Sequence, residues 1–176
     1  MNNRKIFKLT LVALMVAGMA IIAQISIPLP SGVPLTLQTL AVAFTGYLLG
    51  AKHGSISVGV YIALGAIGAP VFSGFTGGFQ KFVSPTGGFI WGFLLLALAC
   101  GMAEIKKWSK KERFTAILAG IVGLLLCHLC GIIQFSAIGG INPVSAFLLC
   151  SLPYLPKDII CIFAAYFLAH AVKKRI

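Results

Sequence analysis

Acidic side chains are almost absent from this sequence, which has three Asp or Glu residues against 14 Lys or Arg in a total of 176. Charged residues make up 10% of the chain, whereas a soluble domain carries about 25%. With 59% hydrophobic residues and a mean hydropathy of +1.02, the composition excludes a soluble domain and indicates an integral membrane protein. The length provides for about six spans of roughly 20 residues. We therefore predict an all-α bundle of six transmembrane helices, a single domain over residues 1–176.

Sequence motifs for catalysis, nucleotide binding and metal binding are also missing. There is no Gly-x-x-x-x-Gly-Lys-Ser/Thr phosphate loop, so active transport would need a partner that hydrolyses ATP. His53, His128 and His170 are scattered along the chain, and no Ser/His/Asp set is evident. The five cysteines lie in apolar stretches without the spacing of a metal site. We therefore expect no enzyme activity, no metal and no cofactor.

The positive charges follow a loop-by-loop pattern. Twelve of the 14 cations lie in four places: before the first apolar run, between the second and third runs, between the fourth and fifth runs, and at the end of the chain. An excess of Lys and Arg marks cytoplasmic loops, so both termini are predicted to be cytoplasmic. Lys81 and Lys157 alone fall on the outer side. Because the cations form no single basic face, we interpret them as topology signals and lipid headgroup contacts, and we expect no nucleic-acid partner.

Apolar runs separated by Gly and Pro predict the helices. The first run lacks a signal-peptide cleavage site and is interpreted as a retained helix. The connection at 70–88 is too rich in Gly and Pro to span a membrane, yet it contains four Phe residues, so we expect it to fold into the outer mouth of the bundle as an ordered lid. The predicted helices are 7–25, 35–49, 55–69, 89–103, 114–137 and 157–172, with a short apolar helix at 144–152.

Asp158 is the one carboxylate outside the inner loop. An ionised residue within a membrane span usually has a function, because inserting its charge into the membrane costs roughly 2.5 to 3.5 kcal/mol on insertion scales. The alternative is that Asp158 complements the helix dipole and caps free N–H groups, while Lys157 anchors at the interface. In the functional interpretation, the carboxylate accepts two N–H bonds from a urea-like or amide group and the lysine meets a carbonyl or carboxylate oxygen. This pair suits a small polar ligand.

Other polar residues are weaker candidates for the same site. Lys81 and Gln80, in the glycine-rich loop, suit an anionic ligand tail, although an outer-loop lysine is often only solvated. Gln38, Thr39 and Gln134 are candidates for hydrogen bonds to a ligand or between helices.

The segment Gly68–Gly78 (GAPVFSGFTGG), followed by Ser84–Phe89 (SPTGGF), resembles the signature loop of the BioY family. The resemblance extends over nearly the whole chain and includes Leu37-Gln38-Thr39 and the proline-then-Asp start of the last helix. BioY proteins are the biotin-binding S components of energy-coupling factor (ECF) transporters.

The resemblance implies a six-helix protein that captures biotin from outside, in a pocket of the outer half roofed by the first and third connections. It also implies docking on a T-component membrane protein coupled to two ABC ATPases, with toppling of the S component to deliver biotin inward. Ala13 and Ala17 match the family's Ala-x-x-x-Ala docking pattern, a spacing that also serves ordinary helix packing. The implied substrate-binding residues are Gln38, Phe75, Thr76, Gly77, Gly78, Lys81, Lys157 and Asp158.

The sequence departs from the family pattern at the last helix. Family members commonly carry Pro-Gly-Asp-x-x-Lys there, whereas this chain has Pro156-Lys157-Asp158, with Cys161 at the lysine position. Lys157 replaces the glycine and moves the ammonium by most of a helical turn. Thr76 stands where some members have Asn. Two alternatives therefore stay open: an S component for a different vitamin, and a membrane protein without a transport role.

Overall fold

The computed structural model describes residues 3–30, 32–103 and 110–175. Within these ranges the chain forms six α-helices, one short 3₁₀ helix and a two-stranded antiparallel ribbon. The elements, in chain order, are α1 (Asn3–Ile22), β1 (Ser26–Ile27), β2 (Leu35–Thr36), α2 (Gln38–Ala66), the 3₁₀ helix (Phe79–Lys81), α3 (Gly87–Met102), α4 (Lys110–Gly139), α5 (Pro143–Cys150) and α6 (Leu155–Lys173).

Helix α2 reverses direction at Gly50. The backbone there has φ 76° and ψ 173°, values that no helix contains and that favour glycine. A Cβ placed on Gly54 would lie 3.0 Å from the Cα of Gly46, a proximity that a straight helix would forbid for residues eight apart. The two arms of α2 therefore lie side by side and correspond to the predicted second and third helices. The predicted connection around Lys52 shrinks to a one-residue turn.

Close backbone contacts hold α3 between α2 and α4. A Cβ at Gly92 of α3 would lie 2.7 Å from the Cα of Cys127 in α4, so only glycine fits there. Near the Gly50 turn, the buried Tyr47 of α2 donates a hydrogen bond of 2.8 Å to the Ala116 carbonyl of α4, and its ring packs edge-on against Tyr166 of α6. One packed core thus joins α2, α3, α4 and α6.

Three of the described helices are long and apolar enough to cross a membrane: Lys5–Ile22, Lys111–Gly139 and Leu155–Lys173. The shorter helix Gly87–Met102 is also apolar. Counting the two arms of α2 separately, the bundle has six helical segments besides α5, in agreement with the number predicted. The six-span count and the cytoplasmic termini stay predictions.

The connection between α1 and α2 contains structure that the all-α prediction missed. Helix α1 ends at Ile22, three residues before the predicted end, and the chain then forms the ribbon, in which Ser26 pairs with Thr36 and Ile27 with Leu35. The three prolines of this segment lie between the strands, where the chain needs no regular hydrogen bonds. We call residues 23–37 the first cap loop.

The connection between α2 and α3, residues 67–86, folds onto the same end of the bundle, as predicted for a lid. Phe72 and Phe82 are buried, and their rings pack edge-on at 5.9 Å. The amide of Gln134 in α4 donates to the Phe82 carbonyl at 2.6 Å and to the Ser84 carbonyl at 2.8 Å. Gln134 therefore fastens this second cap loop to α4, which supports the structural alternative for that residue.

Gln24 joins the two cap loops. Its Nε2 donates to the Phe72 carbonyl at 3.2 Å, and its Oε1 accepts from the Phe75 N–H at 2.8 Å. Both cap loops, α5 and the start of α6 therefore lie at one end of the bundle, which we call the loop end. Among the described cations, only Lys81 and Lys157 belong to that end, since the others follow the chain termini, the Gly50 turn and the start of α4.

Candidate ligand-binding site

A cavity lies at the loop end, beneath the two cap loops. It encloses about 870 Å³ of space not filled by protein atoms, its mouth included. Its walls come from both cap loops and from α2, α3, α4, α5 and α6. The apolar lining residues include Phe72, Phe89, Ile90, Phe93 and Leu124. The cavity thus has both apolar and polar walls, and two groups of polar side chains are described next.

The inner polar group centres on Asp158. This residue is in the first turn of α6 and is 4% exposed. Its Oδ1 lies 2.5 Å from the Lys157 ammonium, and its Oδ2 lies 3.3 Å from Nε2 of His128. The carboxylate therefore pairs with side chains that line the cavity, and its position in the first turn of α6 also complements the helix dipole. Helix α6 has Tyr154 at its N-cap, without a side-chain capping bond.

Lys157 connects this group to the first cap loop. Its ammonium donates to the Thr36 carbonyl at 2.5 Å while it pairs with Asp158. Residues 157 and 161 are one turn apart on the same face of a helix. Lys157 therefore contacts the carboxylate from a position one turn before the family lysine position. Cys161, which occupies that family position, is buried and does not line the cavity.

His128 completes the inner group, although no sequence pattern predicts its pairing with Asp158. Its Nδ1 lies 2.8 Å from the Ser151 hydroxyl, so Ser151, His128 and Asp158 form one hydrogen-bonded chain. The expectation that the chain has no Ser/His/Asp set was therefore wrong. Ser151 is 1% exposed and is not part of the cavity lining, so its hydroxyl is not presented to a ligand as a nucleophile would be. The signal available was a histidine in an apolar run, which requires a partner.

The second polar group comes from the second cap loop. Ser73, Thr76 and Thr86 line the cavity together with Lys81, which ends the 3₁₀ helix and is partly exposed. A cation beside three hydroxyls suits an anionic group. Lys81 lines the same cavity as Asp158, and its contact with a ligand stays a prediction.

Gln38 lines the cavity and also links its walls. Its Nε2 donates to the Tyr61 hydroxyl at 2.9 Å, and that hydroxyl donates to the Val71 carbonyl at 3.0 Å. Its Oε1 accepts from the Thr36 hydroxyl at 3.1 Å. Gln38 thus joins both cap loops to α2, and a face of its amide lines the cavity.

Three of the predicted site residues do not line the cavity. Phe75 is 72% exposed, with φ 54°, and its ring stands outside the second cap loop. Gly77 and Gly78 shape that loop instead. A Cβ on Gly77 would collide with the Ala69 carbonyl, and Gly78 has φ 99°. The structure thus gathers Gln38, Thr76, Lys81, Lys157 and Asp158 around the cavity.

The two alanines predicted to dock a partner lie on the surface of α1. Ala13 and Ala17 are both exposed, one turn apart, on a helix whose neighbour within the bundle is α2. The alternative of ordinary packing inside the bundle therefore does not account for them.

Comparison with known proteins agrees with this architecture. The BioY family model matches residues 1–176. The chain is 37% identical over 166 residues to the probable biotin transporter BioY of Pyrococcus horikoshii, covering 94% of this chain and 96% of that protein. It is 45% identical over 121 residues to the biotin transporter BioY of Thermotoga maritima, covering 68% of this chain and 66% of that protein.

A solved structure has the same fold. The crystal structure of the S-component for biotin from an ECF-type ABC transporter matches with a TM-score of 0.89 and 29% identity, covering 99% of this chain and 94% of that one. The family consists of transporter components and not of enzymes, and its members are multi-pass proteins of the cell membrane. The sequence motifs, the helical bundle and these matches lead to one conclusion: the chain belongs to the BioY family.

Proposed function

We propose that this chain is the substrate-binding S subunit of an ECF-type importer and that it captures biotin from outside the cell. The single observation that carries the proposal is a buried, ion-paired carboxylate, Asp158, in the wall of a cavity roofed by two cap loops. Biotin has a cyclic urea at one end and a carboxylate at the other, joined by apolar atoms. The cavity likewise offers a polar group for each end of the ligand and apolar side chains for the atoms that join them.

The inner polar group suits the urea. The ion pair of a carboxylate and an ammonium has no net charge, and it therefore favours a neutral headgroup over an ion. Asp158 supplies acceptor oxygens for N–H groups, and Lys157 supplies a donor for the urea carbonyl. Lys157 thus takes the role that the family pattern assigns to the position of Cys161.

The remaining walls suit the rest of the molecule. Phe72, Phe89 and Phe93 form apolar walls for the fused ring and the aliphatic chain. Lys81, with the hydroxyls of Thr76 and Thr86, suits the carboxylate at the mouth. Gly77 and Gly78 act by shaping the second cap loop, while Phe75 lies outside the cavity and is proposed to have at most an indirect role in capture.

The orientation in the membrane follows from the charges. The described cations other than Lys81 and Lys157 belong to the end opposite the cavity, and cation-rich ends face the cytoplasm. We therefore place both termini inside, the cavity outside and six spans between them. The chain has no nucleotide-binding motif, and we propose that ATP-driven delivery of biotin inward uses a T-component membrane protein and two ABC ATPases, as in an ECF-type transporter. The exposed Ala13 and Ala17 on α1 are the proposed docking positions.

Binding of biotin to the purified protein in detergent tests the proposal. We expect tight binding to the wild type, weakened at least about 100-fold by Asp158→Ala, because the ligand N–H groups lose a charged acceptor. Glu112→Ala is the matched control, since Glu112 is in the first turn of α4 at the opposite end and should leave affinity unchanged. Competition with other vitamins separates biotin from a different substrate. A wild type that ignores biotin but binds another vitamin would assign the site to that vitamin.

A further inference from the structure

His128 and Ser151 are buried polar groups for which the proposed ligand contacts have no use. Ser151 lies at the end of α5, where its carbonyl accepts from the N–H groups of Tyr154 and Leu155 at 3.0 and 3.1 Å. Its hydroxyl is therefore held by a rigid turn between α5 and α6. His128 comes from the middle of α4, and its ring packs edge-on against Phe89 of α3 at 5.6 Å. Three helices thus fix one imidazole.

The hydrogen bonds determine the tautomer. Asp158 is paired with the Lys157 ammonium, so its carboxylate is the charged form, which only accepts hydrogen bonds. The His128 Nε2, 3.3 Å from Oδ2, must therefore carry the proton. In the neutral imidazole, Nδ1 is then an acceptor, and the Ser151 hydroxyl donates to it at 2.8 Å. The donors run in one direction, from Ser151 through His128 to Asp158.

This arrangement gives each carboxylate oxygen a different neighbour. Oδ2 faces the His128 ring and Oδ1 lies 2.5 Å from the Lys157 ammonium, and the side chains of Lys157 and Thr39 also hydrogen-bond to this carboxylate. Rotation of the carboxylate about its Cβ–Cγ bond would remove the bond from His128. The imidazole therefore fixes the plane of the acid together with these contacts, and the second lone pair of each oxygen remains for a ligand donor.

We propose that His128, oriented by Ser151, is a positioning residue that fixes the carboxylate plane of Asp158 for a ligand with N–H donors. The inference deepens the proposed function and rests on it, because the ligand used to test it is biotin. His128 acts through Asp158, so its contribution to affinity exists only while the carboxylate is present.

A double-mutant cycle tests this dependence. Biotin affinity and thermal midpoint are measured for the wild type, His128→Ala, Asp158→Ala and the double variant. We expect His128→Ala to weaken binding about 10-fold to 100-fold, the range for a hydrogen bond to a charged group. In the Asp158→Ala background, the same change should alter affinity less than about twofold. A residue that merely supports the fold, or contacts biotin directly, would weaken binding equally in both backgrounds, and that result would overturn the proposal.

Conservative variants keep the test decisive if His128→Ala fails to fold. His128→Gln retains an N–H donor near the position of Nε2 and should bind biotin within about threefold of the wild type, whereas His128→Leu, of similar bulk, should not. Ser151→Ala, which removes the orienting donor, should weaken binding about threefold to tenfold. Equal affinities for His128→Gln and His128→Leu would refute the positioning role alone. A folded wild type that binds no biotin would refute the proposed function, and this inference with it.

Discussion

Lys157 offers the sharpest test of how this chain departs from its family. We predict that Lys157→Met, which keeps an unbranched side chain one atom shorter and removes its charge, weakens biotin binding and loosens the first cap loop. The ammonium makes two contacts that methionine cannot make: the ion pair with Asp158 and the hydrogen bond to the Thr36 carbonyl. In the proposed complex it also donates to the ligand carbonyl.

The magnitude follows from burial. A hydrogen bond from a charged group to the ligand contributes about 1.5–3 kcal/mol to binding, whereas loss of one partner of a buried pair lowers the stability of the free protein by about 3–5 kcal/mol. The Lys157 side chain is 22% exposed, so solvent screens part of its charge and the lower values apply. We expect a loss of about 2 kcal/mol of binding free energy, which is about 30-fold in affinity.

Titration calorimetry with biotin measures this loss, with Lys52→Met as the matched control because Lys52 is exposed at the opposite end. A second variant, Lys157→Gly with Cys161→Lys, restores the family order and moves the ammonium one turn along the same helix face. It should recover most of the affinity. If Lys157→Met binds biotin as tightly as the wild type, the ammonium does not substitute for the family lysine and the reasoning fails.

Three further predictions concern packing, docking and the cap loop. Gly92→Ala should lower stability by about 1–3 kcal/mol by overpacking against α4, whereas Gly18→Ala, whose Cβ would meet no atom within 4 Å, should be neutral or stabilising in thermal unfolding. Ala17→Leu should leave biotin affinity unchanged and reduce co-purification with the T component and ATPases. Tyr154→Phe removes a 2.6 Å hydrogen bond to the Val33 carbonyl and should speed biotin release about threefold to tenfold, measured by ligand exchange.

Each of these predictions has its own control and contrary outcome. Equal thermal midpoints for Gly92→Ala and Gly18→Ala would show that the α3–α4 contact tolerates a methyl group. Ala63→Leu enlarges another exposed alanine, on α2, and should not affect co-purification. If it does so as strongly as Ala17→Leu, the α1 surface is not specific. Unchanged biotin release from Tyr154→Phe would mean that the first cap loop does not limit exit.

The helices could be predicted because their signal is local. Runs of apolar residues between Gly, Pro and Lys clusters located each helix to within a few residues, and the carboxylate of Asp158 stood out as a charge in an apolar context. The ribbon was missed because strands of two residues have no periodicity to detect. The turn at Gly50 was predicted as a longer loop because Lys52 and His53 look like loop residues, although both belong to the second arm of α2.

The site could be predicted only in part, because its contacts join distant segments. His128 meets Ser151 and Asp158 across 23 and 30 residues, a proximity set by how α4 packs against α5 and α6. The spacing of these three residues in the sequence does not predict their contact. Phe75 was grouped with its neighbours because the motif is contiguous, yet the backbone of the second cap loop turns its ring outward.

The reversal at Gly50 limits where this protein can deform. With one residue joining them and their backbones touching at Gly46 and Gly54, the arms of α2 have no spare chain with which to slide apart. We therefore expect the two arms to move together as a stiff hairpin, with α3, which packs closely against α2 at Gly46 and Ala51, moving with them. We therefore expect conformational change to be concentrated in the two cap loops, which lie over the cavity. Entry and exit of a ligand then depend on these loops and leave the opposite end of the bundle unchanged.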